Sequence, residues 1–164
     1  MNKNNIIFEQ WRSFAKLTSG LQQKFYEQKV RDGKTVKCVS AKDVFTKDEI
    51  EKIRRYCMIE PKMCHRTAYR LANLFPDRVK YVEGGVTIFN GGFGVEHAWN
   101  LVDGQHYVDL TFEYALNKDV TKETYVALCE YDVDVIREIA AETLVYGNVY
   151  NELFIKKNYK PTKK

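Results

Sequence analysis

The sequence predicts an α+β domain in which helices flank a small antiparallel sheet. Three observations carry that expectation. Apolar residues recur at steps of three and four in residues 6–28 and again after Asp132. Between 78 and 111 they change to an alternation of period two. Within that stretch Asp103-Gly104 separates two alternating runs and reads as a hairpin turn.

In chain order, Ile7, Trp11, Phe14, Leu17 and Leu21 place one apolar stripe on a helical region from Ile6 to about Gln28. Asp32-Gly33-Lys34 breaks it, and Thr35-Val36-Lys37-Cys38-Val39 is a short strand or extended entry. Thr46-Lys47-Asp48-Glu49 is a capping box, so a helix starts there and runs to about Cys57 with Ile50 and Ile53 inward. Glu60-Pro61 imposes an extended step before the next helix. On that helix Cys64, Ala68, Leu71, Ala72 and Phe75 share one face, and Pro76-Asp77 ends it.

Arg78 to Glu83 alternates as a strand, Gly84-Gly85 suggests a bulge or bend, and Val86 to Phe89 continues as a strand. Asn90-Gly91-Gly92-Phe93-Gly94 is expected as a flexible loop, followed by the strands Glu96–Val102 and His106–Thr111. Asp132 or Asp134 opens a helix with Val135, Ile136, Ile139, Ala140 and Leu144 on one face, and a last helical segment covers Tyr150 to Ile155.

Length and composition bound the function. A chain of 164 residues with 45% hydrophobic and 13% aromatic content is read as one domain, 1–164, with its core unit at 60–115. No apolar run approaches the roughly 20 residues of a membrane span. The start of the chain carries no secretory pattern, so a cytoplasmic protein without membrane contact is expected. The net charge of +4 is concentrated at one end: five lysines lie in 156–164, a basic tail expected to be frayed. Without them 21 basic residues (26 less 5) face 22 acidic ones. No aromatic stacking surface accompanies the basic tail, which argues against nucleic acid as a partner.

Cys38, Cys57, Cys64 and Cys129 form no CxxC pair and read as free thiols, three of them as small buried apolar residues. Cys64 differs in its setting. It opens a helix, where the first backbone N–H groups have no intrahelical acceptor and favour a thiolate. His97 and Asp109 follow in neighbouring strands, where an imidazole base and the carboxylate that orients it would be wanted. Their meeting depends on register. A strict two-residue turn at Asp103-Gly104 would pair His97 with Leu110 and put His97 and Asp109 on opposite faces. A longer loop, of about three residues, or one bulge would set His97 opposite Asp109, and the catalytic reading requires it.

Cys64 at a helix start, His97-Ala98-Trp99-Asn100, the turn Asp103-Gly104 and Val108-Asp109-Leu110-Thr111 together resemble the transglutaminase-like branch of the papain-type cysteine enzymes. Tyr81-Val82-Glu83-Gly84 with Glu96 to Asn100 also resembles a group of small proteins of bacteria and their phages. The resemblance covers about a third of the chain. It implies a papain/transglutaminase-like core with the cysteine at a helix N-terminus, Cys64 as nucleophile, His97 as base and Asp109 as orienter. Leu110 replaces the proline usual after the aspartate, and Glu60-Pro61-Lys62-Met63 supplies no glutamine as oxyanion donor.

Trp99, Asn100 and Glu96 are the candidate substrate-binding residues. Trp99 would shield the ion pair or fill the core, Asn100 is a candidate oxyanion donor, and Glu96 with Glu83 would line a cleft. Against these stand plain alternatives: core packing for Trp99 and Tyr81, and solvated strand carboxylates for Glu83 and Glu96. His65, about 100° round the helix from Cys64, is expected at the surface near the cleft rim, and His106 faces away from Asp109. Cys57, Cys64, His65, His97 and His106 match no compact zinc spacing, so neither metal nor cofactor is expected. The glycine clusters open no helix and carry no P-loop lysine.

The expected activity is that of a thiol hydrolase or acyltransferase acting on amide bonds of a peptide, an isopeptide or a glutamine side chain, through a thioester. Its partner is then a peptide or protein substrate. The alternative is the same fold without turnover, a binding module such as a phage-encoded inhibitor of a host protein.

Overall fold

The computed structural model describes residues 3–159. It is an α+β fold: helices pack around a five-stranded antiparallel sheet in the order β1-β5-β2-β3-β4. Among the described residues no helix is long and apolar enough to cross a membrane.

The N-terminal helical region is two helices, α1 (Ile6–Leu17) and α2 (Gly20–Asp32), where the sequence pattern suggests one. The break follows from Thr18 and Ser19, both extended, with Gly20 at φ +61. The Thr18 hydroxyl turns back to the Phe14 carbonyl and closes the first helix. The capping box is present: Glu49 N–H donates to the Thr46 hydroxyl and the Thr46 N–H to the Glu49 carboxylate. It starts α3 (Lys47–Tyr56). Helix α4 (Cys64–Leu74) begins at Cys64, as the apolar face requires. Asp132 is the N-cap residue of α5 (Val133–Thr143) but makes no side-chain cap bond. Helix α6 (Val149–Asn158) takes in Lys156 and Lys157, so the basic stretch starts as helix, Lys156 pairing with Glu142. Residues 160–164 of the expected frayed tail lie outside the described residues.

Strands β1 (Lys34–Val36), β2 (Val79–Ile88), β3 (Phe93–Val102), β4 (His106–Val108) and β5 (Tyr125–Tyr131) form the sheet. Two differences from the sequence pattern stand out. Phe93 and Gly94 belong to β3, because the β2–β3 ladder runs unbroken from Val79–Val102 to Ile88–Phe93. Strand β5 arises from residues to which the pattern assigns no element, and it lies between β1 and β2.

The bend expected at Gly84-Gly85 exists as a register shift against β5. Glu83 pairs with Cys129 and Gly84 with Ala127, so Leu128 is the extra residue. Only glycine fits at 84, where a Cβ would lie 1.9 Å from the Val126 carbonyl oxygen. The sheet curls until its edges meet: Cys38, just after β1, bridges Tyr107 on β4, and the Val39 N–H donates to the Tyr107 carbonyl.

Three apolar clusters result, the smallest holding Ile7, Phe8 and Trp11 of α1 against Val126. Val82, Val86, Trp99, Leu101, Phe112 and Tyr125 fill the curl together. Val79, Tyr81, Ala98 and Val102 pack with Ala68, Leu71 and Ala72 of α4 and with Ile136 and Ile139 of α5. The small Ala68 and Ala72 let the helix sit close on the sheet, and α4 is thereby fixed over β2 and β3.

Candidate active site

Three elements deliver Cys64, His97 and Asp109 to one place. Val102 pairs with His106, so the hairpin loop holds three residues, Asp103, Gly104 and Gln105. That is the longer loop the catalytic reading requires. Its register differs in detail from direct opposition: continued one step past β4, it sets Trp99 rather than His97 opposite Asp109. The parity is what matters. Trp99 and His97 share a face, and His97 reaches Asp109 diagonally, Nε2 to Oδ2 at 2.7 Å.

Asp109 is 1% exposed and fully bonded. Its Oδ2 also accepts from the Tyr125 hydroxyl at 2.9 Å, and its Oδ1 accepts the Phe112 N–H at 3.1 Å. Such a carboxylate has one fixed pose. It assigns Nε2 of His97 as the N–H side, which leaves Nδ1 for the sulfur. The ring lies parallel to Trp99 at 6.2 Å and against Phe112 at 4.5 Å, and is 5% exposed.

Cys64 is half-buried at the first position of α4, whose N-cap Met63 offers no side-chain acceptor. Burial alone would push its thiol up. The hydrogen bond with His97, the charge of that ring, the charge of His65 and the Ala98 N–H outweigh it and hold the thiol below the ordinary value. His97 answers in the opposite sense. Burial disfavours its cation, but the Asp109 charge and hydrogen bond, with the bond to Cys64, raise it to about 10. A thiolate–imidazolium pair is the state these neighbours favour. Burial pushes the other three thiols upward: Cys38 and Cys129 strongly, Cys57 to about 12.

Of the expected substrate-side residues, Trp99 and Asn100 are placed differently. Trp99 is 1% exposed and offers no surface to a ligand; it is core. Asn100 is not free to donate to an oxyanion, because its amide bonds the Ala68 carbonyl at 2.8 Å and the Lys80 carbonyl at 3.2 Å, tying β3 to α4. Glu96 is exposed and pairs with the buried Lys29 at 2.6 Å, which also sits over the Phe25 ring.

A second polar group emerges next to the first. Glu83, on the strand where a solvated carboxylate is the common case, is 5% exposed. It accepts from Tyr81 Oη at 2.5 Å, the Val149 N–H at 2.8 Å and the Tyr150 N–H at 3.0 Å, and so anchors the start of α6. His65 lies half-buried against this group, Nδ1 to Tyr81 Oη at 2.8 Å, not free at the surface. Glu83 lines the cavity beside the site as the cleft reading expects, and His65 stands at its rim, while Tyr125 is the member of the site in a stretch to which sequence patterns assign no element. The one usable signal was the run Tyr125-Val126-Ala127-Leu128-Cys129, rich in strand formers.

A cavity of about 20 Å³ lies between the two groups, lined by His65, Glu83, Gly84, Glu96, His97 and Lys29 among others. On the other side of His65 an open groove of about 320 Å³ runs between Lys62, Met63 and Arg66 and the exposed Leu144, Val145 and Tyr146. Among the described residues no three His, Cys, Asp or Glu side chains gather into a group that could hold a metal ion. Comparison of the chain with protein-family models, with curated proteins and with solved structures gives no match.

Proposed function

We propose that the protein is a cysteine-dependent acyl hydrolase or acyltransferase acting on amide bonds, built on a papain-type core of the transglutaminase-like kind and working inside the cell. One observation carries this reading: Cys64, at an uncapped helix start, lies near enough to His97 for that ring to lower its thiol, and the ring's Nε2 is held by a fully bonded Asp109.

In this reading the Cys64 thiolate attacks the carbonyl carbon of a peptide, isopeptide or glutamine side-chain amide. Backbone N–H groups of the first turn of α4, the Cys64 N–H foremost, face the developing oxyanion at the positive end of the helix. Protonated His97 gives its proton to the leaving amine, and a thioester remains on Cys64. Asp109 keeps the ring in one tautomer and balances its cation, as Tyr125 and the Phe112 N–H keep Asp109. The groove lined by Met63 and His65, the chain neighbours of Cys64, gives an extended peptide a place to lie.

The test is acylation with p-nitrophenyl butyrate, followed by intact mass and peptide mapping. One butyryl group on Cys64, absent in Cys64→Ala and strongly slowed in His97→Asn, is the expected result. Acylation spread over all four cysteines, or none at Cys64 while a single protein partner is retained by both wild type and Cys64→Ala, would replace this reading with a binding module.

A further inference from the structure

The His65–Tyr81–Glu83 line has a defined direction. Glu83 receives two backbone N–H groups and the Tyr81 hydroxyl, so it is an acceptor throughout. The single hydroxyl proton of Tyr81 is therefore spent on Glu83, and its oxygen must accept from His65 Nδ1. Nδ1–H being the donor, the neutral ring carries its lone pair on Nε2. An imidazole with one nitrogen pinned to a carboxylate through a hydroxyl and the other free is arranged as a base.

Its position fits the second half of the proposed reaction. His65 follows Cys64 directly and lines both the open groove and the small cavity. That cavity, at about 20 Å³, has room for one water and polar side chains to hold it. A Gly147 backbone close enough that a Cβ would meet the ring at 2.3 Å fixes the imidazole plane.

Resting on the reading of Cys64 as nucleophile, we propose that His65 is the base that takes the proton of the attacking water when the acyl group is discharged, with Tyr81 and Glu83 as its positioning residues. The water oxygen bonds to the thioester carbon as one of its protons passes to His65 Nε2. The tetrahedral adduct collapses by breaking the C–S bond, and sulfur leaves as thiolate. The second proton passes from the new carboxylic acid to His97, restoring the ion pair, and the proton on His65 is lost to solvent. Burial disfavours the cation of His65, but the Glu83 carboxylate, 3.5 Å from Nδ1, raises the ring above the ordinary imidazole value and strengthens it as a base.

The split between acylation and discharge tests this. With p-nitrophenyl butyrate, the nitrophenolate burst reads acylation and the steady state reads discharge. His65→Gln is expected to keep the burst and to slow the steady state by about 100-fold, a usual general-base contribution. Hydroxylamine, which needs no base, should then discharge wild type and variant alike. A steady state within about threefold of wild type, or a burst slowed in step with it, overturns the role of His65 while leaving Cys64 as nucleophile. Absence of any acyl group on wild-type Cys64 overturns both. Should His65→Gln fail to fold, Tyr81→Phe breaks the same line with little change of shape, and the same split is expected of it.

Discussion

Tyr125 and His97 bond the same oxygen of Asp109, at 2.9 and 2.7 Å, from strands on opposite sides of β2. The curl of the sheet makes this possible, and it gives the carboxylate a support buried as deeply as itself. Tyr125→Phe keeps the packing and removes one donor. It is expected to cost about 1–2 kcal/mol in urea unfolding, as a buried hydrogen bond to a charged group does.

Thiol chemistry should single out Cys64. Iodoacetamide at pH 6–7 should alkylate it well before Cys38, Cys57 and Cys129, all of which burial holds above the ordinary thiol value. In His97→Asn the pH profile of Cys64 should move up toward that value, as mapped by mass spectrometry, because the largest opposing influence is gone.

The ion pair also sets how stability depends on pH. The ordinary values are 6.5 for imidazole and 9.0 for a thiol, and in the folded protein His97 rises to about 10 while Cys64 falls. Between 6.5 and 9.0 the two shifts oppose each other: the raised ring lowers stability as pH rises, and the lowered thiol raises it. Above 9.0 the unfolded chain holds fewer protons than the folded one, and stability falls as pH rises toward about 10. As pH falls through the lowered Cys64 value, the unfolded thiol is already protonated, and the stability that Cys64 contributes is lost. In Cys64→Ala only the raised His97 remains, so urea unfolding should show stability already declining from 6.5 upward.

Glu83→Gln tests the anchor of α6. The neutral amide cannot serve the Tyr81 hydroxyl, the Val149 N–H and the Tyr150 N–H as a carboxylate does. A loss of about 2–3 kcal/mol is expected, with amide exchange accelerated first in α6.

Gly84→Ala should be among the most damaging single methyl additions in the chain. The new Cβ meets the Val126 carbonyl at 1.9 Å and the Trp99 ring at 2.8 Å, and neither can retreat from the middle of the sheet. A loss of about 3 kcal/mol or more is expected by urea unfolding, with the β2–β5 ladder the part disturbed.

The amino-acid order alone determined what is local. The capping box at Thr46 and Glu49, the apolar face that puts Cys64 at the start of α4, and the Gly84 bend are each written within a few residues, because helix and strand periods are local properties. Cys64, His97 and Asp109 were legible for the same reason: a helix start and two alternating runs carry them. Tertiary structure decided the rest. The one extra residue in the hairpin loop gave His97 and Asp109 a common face, and the curl of the sheet brought Tyr125 to them. Asn100, beside His97 in sequence, was turned to tie β3 to α4, and Glu83 found its partners 66 and 67 residues away. A buried polar group takes whichever donors the packed chain brings within reach, and those are set by register and curvature, not by neighbours in sequence.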